Sequence, residues 1–356
     1  MPHLFSPLKI RSLELKNRII VSPMCQYSSK DGFANEWHLV HLGSRAVGGA
    51  AMVITEATAV SPEGRISPSD LGIWLDEHIS YLKKITSFIE EQGCVPGIQL
   101  AHAGRKASHQ APWNGGKPIS EKENGWQTVG PSALAFADME PIPVELSAAE
   151  IDKIKQDFKV AAARALKAGF KVIELHAAHG YLLHEFLSPY SNKRTDKYGG
   201  SFDNRILFLL EIITAVREVW PEELPLFVRI SATEWVEGNW SESDSIKLAE
   251  ILKDKTVDLI DCSTGGNIPH VKIPIVPMYQ TPFAENIKKQ TGILTGAVGM
   301  ITTSKEANHI IESNKADVVL LARELLRDPY FPLKAAHELQ QEVVWPKQYE
   351  RAKRKN

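Results

Sequence analysis

What the sequence lacks narrows its function first. Only three cysteines, Cys25, Cys94 and Cys262, are scattered through 356 residues. The odd number, with no CxxC spacing, excludes a disulfide framework, a zinc ribbon and an iron–sulfur cluster. No apolar run approaches the length that crosses a bilayer, and the opening MPHLFSPLKI has no basic segment followed by an apolar one. The expectation is a cytoplasmic protein without a membrane partner. Neither sign of charge dominates: 41 Lys and Arg against 43 Asp and Glu leave a net charge of −2. That gives no basic surplus for nucleic acid phosphates, so a small molecule is the expected partner. No glycine-rich turn follows an early strand, as an open dinucleotide-binding sheet would require. Internal repeats are missing too, and the one biased tract is the charged stretch Arg351 to Lys355.

What is present is an alternation. A hydrophobic fraction of 43% and a charged fraction of 24% are those of an ordinary globular chain. Short β-rich apolar runs occur at Ile19 to Val21, Ala51 to Thr55, Pro96 to Leu100, Val172 to His176, Leu226 to Ser231, Leu259 to Ser263, Leu294 to Val298 and Asp317 to Leu321. Segments of helical spacing lie between them, near Trp37 to Val47, His78 to Gln92, Ser147 to Lys167, Ile206 to Val219, Ser243 to Leu252, Pro282 to Gln290, Lys305 to Ser313 and Pro329 to Leu339. Ser147 followed by Glu150 is a capping box. About eight βα units in one chain predict an α/β fold, a (β/α)8 TIM barrel forming a single domain over residues 1–356. Ser108 to Glu145 breaks the rhythm and reads as a long excursion after the third strand, either a lid or substrate wall or a decorative loop. Residues 340–356 form a C-terminal tail.

A barrel concentrates its chemistry just after its strands. The predicted strand ends carry Ser22-Pro23-Met24-Cys25-Gln26-Tyr27, Gln99 through Lys106, His176-Ala177-Ala178-His179-Gly180-Tyr181, Arg229 and Ser263. Gly299 and Ala322-Arg323 follow the seventh and eighth strands, where barrels commonly bind phosphate through backbone N–H groups. An inward Arg229 needs an anionic partner, either a reduced flavin or a carboxylate such as Glu174. His176 and His179 have metal-ligand spacing but no third ligand in a zincin pattern, so no metal is expected. Two imidazole N–H groups aimed at one carbonyl oxygen, with the Tyr181 phenol as proton donor, make better chemistry of the same residues.

At these motifs the chain resembles the Old Yellow Enzyme family of FMN-containing ene-reductases. Further matching runs are Lys16-Asn17-Arg18, Glu185-Phe186-Leu187-Ser188-Pro189, Arg194-Thr195-Asp196, Tyr198-Gly199-Gly200-Ser201 and Asn204-Arg205. Cys25, Tyr27 and the tail Gln348-Tyr349-Glu350-Arg351 point to the bacterial thermophilic-like branch, which includes xenobiotic reductases. The resemblance implies that Ser22, Pro23, Met24, Cys25, Ala57, Gln99, Arg229, Gly299, Ala322 and Arg323 contact tightly bound FMN. It implies that Tyr27, His176, His179 and Tyr181 face the substrate, with Cys25 beside the flavin ring. Arg351 is expected to enter a neighbouring subunit's site in a homodimer or homotetramer. The implied activity is an NADPH dehydrogenase that reduces the activated C=C bond of α,β-unsaturated carbonyl compounds in a ping-pong cycle, with nitro compounds and quinones as further substrates. Ala322 stands where relatives often have glycine, which is tolerable if its φ is negative. A dienoyl-CoA reductase-like enzyme is excluded by cysteine spacing and chain length, and a flavin-binding barrel without turnover leaves Tyr181 and both histidines without purpose.

Overall fold

The strand-forming runs are rich in Ile, Val and Leu and are buried on both sides, as strands covered by helices without and by packed side chains within must be. In the computed structural model, which describes residues 2–353, eight of them close into a parallel barrel. They are β1 (Ile19–Val21), β2 (Met52–Ala59), β3 (Val95–Ala101), β4 (Val172–Ala177), β5 (Leu226–Ser231), β6 (Leu259–Ser263), β7 (Leu294–Ala297) and β8 (Val318–Leu321). Pairing of Val319 with Ile19 and of Leu321 with Val21 joins β8 back to β1. All eight predicted strands are present, and outside β2 no end is displaced by more than one residue. β2 extends furthest beyond expectation, because an irregularity between Ile54 and Ala57 lets it continue to Ala59.

Alternation along the strands sorts side chains into two cores. One face packs against the surrounding helices, of which Ala148–Lys167 carries the predicted capping box of Ser147 and Glu150. The other face fills the barrel. Ile20, Met52, Ile54, Val172, Phe227, Leu259, Val318 and Leu320 form this inner core, none more than 1% exposed. Ile10 and Leu15 belong to the same cluster and come from a small hairpin, Leu8–Ile10 with Leu13–Leu15, that sequence reading missed. Ser12 bonds to Glu223 and Arg11 to Asp258, residues that precede β5 and β6, so the hairpin caps the N-terminal end of the barrel. Toward the C-terminal ends the inward positions turn polar: Gln99, Glu174, His176, Arg229 and Asp261 are all buried. The apolar plug therefore supports a buried polar layer, and the chemistry lies above it.

The excursion over Ser108 to Glu145 contains little regular structure beyond a two-residue pairing of Val129–Gly130 with Val144–Glu145. Arg105 ties it down. Its guanidinium donates to the carbonyls of Leu134 and Ala135 at 3.4 and 3.3 Å, and to the carbonyl and side-chain oxygens of Asn267 at 2.7 and 2.9 Å.

Candidate active site

After β4 the chain turns sharply. His179 and Gly180 both adopt left-handed backbone, with φ of 61° and 72°, and a Cβ on Gly180 would lie 2.4 Å from the Gly266 carbonyl oxygen. Left-handed backbone at a histidine costs about 1–3 kcal/mol and persists only where neighbours enforce it. They do so here. The His179 N–H donates to Ser231 Oγ at 2.9 Å, while Lys106 Nζ donates to the carbonyls of His179 and Gly266 at 2.9 and 3.0 Å. Residues after β3, β5 and β6 thus position the histidine that follows β4.

The two imidazoles meet edge to face with centroids 5.1 Å apart. His179 Nδ1 lies 3.4 Å from His176 Nε2, and His179 Nε2 lies 2.7 Å from Ser263 Oγ. His176 Nδ1 is buried with no hydrogen-bond partner among the described residues. Burial, and then the positive charge of Arg229, hold both rings well below the ordinary histidine pKa, so both are neutral. Two proton patterns satisfy these contacts, and they differ in whether His176 Nδ1 carries the proton. A ligand oxygen at that nitrogen selects the pattern in which it does. The sequence expectation of two N–H groups converging on one oxygen is met in part: the rings are together, but the outer nitrogen of His179 is engaged by Ser263. Tyr181 packs on His176 with centroids 5.0 Å apart. Burial, then the acidic groups Cys25, Tyr27 and Asp70, raise its phenol well above the usual range, so it keeps its proton.

On the opposite wall, Cys25 is partly exposed, and burial with the nearby carboxylates of Asp70 and Glu56 raises its thiol well above the ordinary value. A neutral thiol is a poor nucleophile, which suits a contact role. Tyr27, at φ 48°, sets its ring edge-on to Trp113 of the excursion at 5.6 Å. Phe136, also from the excursion, lies 4.6 Å from Lys106 Nζ, which in turn stands 5.2 Å over the Tyr181 ring. The excursion is therefore a wall of the site. Lys106 is pushed down to about 8 by burial and then by Arg105.

The third side of the site is a cavity of about 390 Å³ that runs from His179 and Ser263 to Gly299, Met300, Ala322 and Arg323. Gly299 has φ 109°, and a Cβ there would stand 2.6 Å from Gln280 Nε2, so only glycine fits. Ala322 has the negative φ, −107°, that the sequence required of an alanine, with ψ −92° outside the α and β regions, and Arg323 begins the helix Arg323–Arg327. The Arg323 guanidinium meets Met300 Sδ at 3.4 Å and makes no ion pair with the described residues. Ser22 bonds through its backbone to Leu321 at 3.0 Å, and its hydroxyl is buried without a partner. On the barrel floor, Gln99 Nε2 donates to Glu174 Oε1 at 2.8 Å, with Ala57 beside Gln99 across the strand pair. Arg229 pairs with Asp261 at 3.0 Å, not with the Glu174 that sequence reading offered as its carboxylate partner. The register explains the choice, because Asp261 is directly opposite Arg229 on β6 whereas Glu174 is opposite Phe227.

The structure thus gathers the predicted residues of β1, β3, β4, β5, β7 and β8 around one barrel mouth. Arg351 stands apart: it is exposed, in the short helix Lys347–Ala352, and its side chain forms no hydrogen bond or ion pair with the described residues. Residues missed as site builders are Lys106, Ser263, Gln280, Asp261, Trp113 and Phe136. Lys106 and Ser263 carried a signal, since Lys106 follows β3 and Ser263 ends β6; Gln280, Trp113 and Phe136 carried none. Among the described residues no group of three metal-ligating side chains converges.

A cavity bounded by the Gly299 loop and the start of the Arg323 helix, a polar floor, and a neutral imidazole pair beside a protonated phenol make a barrel mouth with room for an organic cofactor. The comparisons give the chain its family. Residues 3–342 match the NADH:flavin oxidoreductase / NADH oxidase family of FMN proteins. An NADPH dehydrogenase of Bacillus subtilis (strain 168) is 49% identical over 98% of both chains. Morphinone reductase, solved in complex with tetrahydroNAD, is 28% identical with a TM-score of 0.78 over 97% of this chain and 93% of that one. A 2-naphthoyl-CoA reductase is 27% identical with a TM-score of 0.86 over 94% of this chain, which spans only 52% of that one. The chain belongs to the NADH:flavin oxidoreductase / NADH oxidase family. FMN fits the residues present. The buried Ser22 hydroxyl without a partner, the Gly299 loop that admits no Cβ and the Arg323 guanidinium with only a thioether contact are three features that a flavin phosphate and ring satisfy.

Proposed function

We propose that the protein is an NADPH-dependent ene-reductase that reduces the activated C=C bond of α,β-unsaturated carbonyl compounds in a ping-pong cycle. The observation that carries this reading is the buried His176, its Nδ1 unpartnered, 5.0 Å from the protonated Tyr181. Bound FMN supplies the hydride chemistry, accepting from the nicotinamide and donating to the alkene. The chain's own residues do the rest. Ser22, Gly299, Ala322 and Arg323 would hold the phosphate end and the adjoining chain, Pro23, Met24, Cys25 and Ala57 would flank the ring, and Gln99 and Arg229 would meet its polar edge. His176 donates to the carbonyl oxygen, and His179 joins it when its ring turns from Ser263; both draw charge onto that oxygen. Tyr181 keeps a proton for the α-carbon. Tyr27, with Trp113 behind it, bounds the substrate.

The names of the curated relatives support NADPH as the donor, and nitro compounds and quinones come within reach of the same donors. The exposed Arg351 without an intrachain partner supports its delivery to a neighbouring subunit's site mouth in a homo-oligomer. Anaerobic titration tests the reading. NADPH should bleach the yellow protein and cyclohexenone should restore the colour, one equivalent each. A protein that binds FMN, is bleached by NADPH, and is not recoloured by any enone would contradict it.

A further inference from the structure

Three charged side chains lie together in the barrel floor, and they do not balance. Glu174 and Asp261 are 0% exposed and Arg229 is 6% exposed. In strand order Arg229, on β5, stands between the other two, on β4 and β6. The inward positions of the remaining strands add no charge: β1 supplies Ile20 and Ser22, β2 Met52 and Ile54, β3 Gly97 and Gln99, β7 Gly296, and β8 Val318 and Leu320. His176, on β4, is neutral, and Lys106 above it lies toward the carbonyls of His179 and Gly266 and the carboxylates of Glu185 and Glu140, so that Arg229 is the cation that acts on both floor carboxyls. Two carboxylates against one guanidinium would leave a net negative charge in the barrel core, which is costly where water is excluded. The hydrogen bonds show where the imbalance is relieved. Glu174 Oε2 and both Asp261 oxygens have no hydrogen-bond partner in the protein, and the Arg229 Nε contact to Asp261 at 3.0 Å lacks hydrogen-bond alignment.

We infer that Glu174 and Asp261 hold one proton between them and present a single negative charge to Arg229, so that together they set the charge beneath the flavin ring. This rests on the proposed placement of the ring's polar edge over Gln99 and Arg229. Burial pushes the Glu174 carboxyl up to about 8, helped by Asp261, and that of Asp261 to about 6, which agrees with a neutral Glu174 and an ionised Asp261 at neutral pH. Like-charged neighbours that share a site behave in this way. The two carboxylates are positioning residues: they touch Arg229 and Gln99, and act on the cofactor through them.

The arrangement predicts non-additive substitution. In Asp261→Asn the remaining glutamate ionises and takes over the countercharge, and in Glu174→Gln the aspartate keeps it. Both single variants of the FMN-loaded enzyme should therefore hold the flavin midpoint potential close to that of the parent. The double variant leaves Arg229 without a countercharge and should favour reduced over oxidised flavin on the order of tenfold, about 30 mV upward for a two-electron couple. Infrared spectroscopy gives a second readout independent of turnover. Burial also raises the Glu185 and Asp70 carboxyls, to about 8 and about 7, so they contribute protonated-acid bands common to all variants. Beyond these the parent should show one further buried-acid C=O stretch, and each single variant should lose it. Additive single shifts, an unchanged midpoint in a folded double variant, or a parent-minus-variant difference spectrum with no lost protonated-acid band in either single variant would overturn the inference. Arg229→Met separates it from the reading beneath: a midpoint unmoved by that change would show that the flavin does not lie over Arg229, and both would fall.

Discussion

Gly299→Ala isolates the phosphate loop from the rest of the site. At φ 109° an L residue is strained, and the new Cβ would sit 2.6 Å from Gln280 Nε2 and 3.0 Å from Tyr279 Cε1. Gln280 cannot retreat freely, because its Nε2 donates to the Val298 carbonyl at 3.1 Å and its Oε1 accepts from Thr264 Oγ1 at 2.7 Å. The backbone strain is worth about 1–3 kcal/mol and a displaced Gln280 hydrogen bond about 0.5–1.5 kcal/mol. Relief of one relieves part of the other, so the sum overstates the effect. In the variant the loop is expected to shift to a conformation alanine accepts, and FMN binding must then restore the strained one. A penalty of about 1.5–3 kcal/mol in binding corresponds to roughly 10- to 100-fold weaker FMN affinity. Titration of apoprotein with FMN, followed by quenching of flavin fluorescence, measures it. A Kd within a factor of two of the parent's would refute the assignment of this loop to the cofactor.

Other substitutions probe other parts of the account. His176→Ala removes the unpartnered Nδ1 and should weaken phenol binding roughly 10- to 100-fold, the loss expected for a hydrogen bond to a charged oxygen; an unchanged charge-transfer titration would remove His176 from the ligand site. Phe227→Ala empties a fully buried position of the inner core and should cost about 3–5 kcal/mol of stability, visible as a lower urea midpoint. Truncation before Gln348 should raise the apparent KM and loosen the oligomer while FMN stays bound; sedimentation and kinetics that match the full chain would show the tail to be idle.

The barrel was legible in the sequence because its eight strands carry β-branched or leucine-rich runs that no helix period explains. The N-terminal hairpin was not, since three residues each of LKI and LEL lie below the length at which alternation is a signal. The site residues were legible wherever they stand at the end of a strand or just after it, as His176, His179, Tyr181, Gly299 and Arg323 do. Their partners were not. Asp261 becomes the mate of Arg229 only through the register of β5 with β6, and a sequence does not print register. Phe136 reaches the site because Arg105 clamps the excursion at Leu134 and Ala135, and Trp113 does so through its edge contact with Tyr27, tertiary contacts with no local pattern. The engagement of His179 by Ser263 likewise depends on the left-handed turn at His179 and Gly180, where the glycine gave a hint and the histidine gave none.

The central claim is that Tyr181 delivers a proton to the alkene. Stopped-flow measurement of the two half-reactions in Tyr181→Phe tests it most directly. Bleaching by NADPH should run near the parent rate, since hydride transfer to the cofactor uses no phenol proton. Reoxidation by cyclohexenone should slow by roughly 10²- to 10⁴-fold, the contribution of a positioned general acid. Equal slowing of both halves, or reoxidation at the parent rate, would contradict the role assigned to Tyr181 and with it the ene-reductase account.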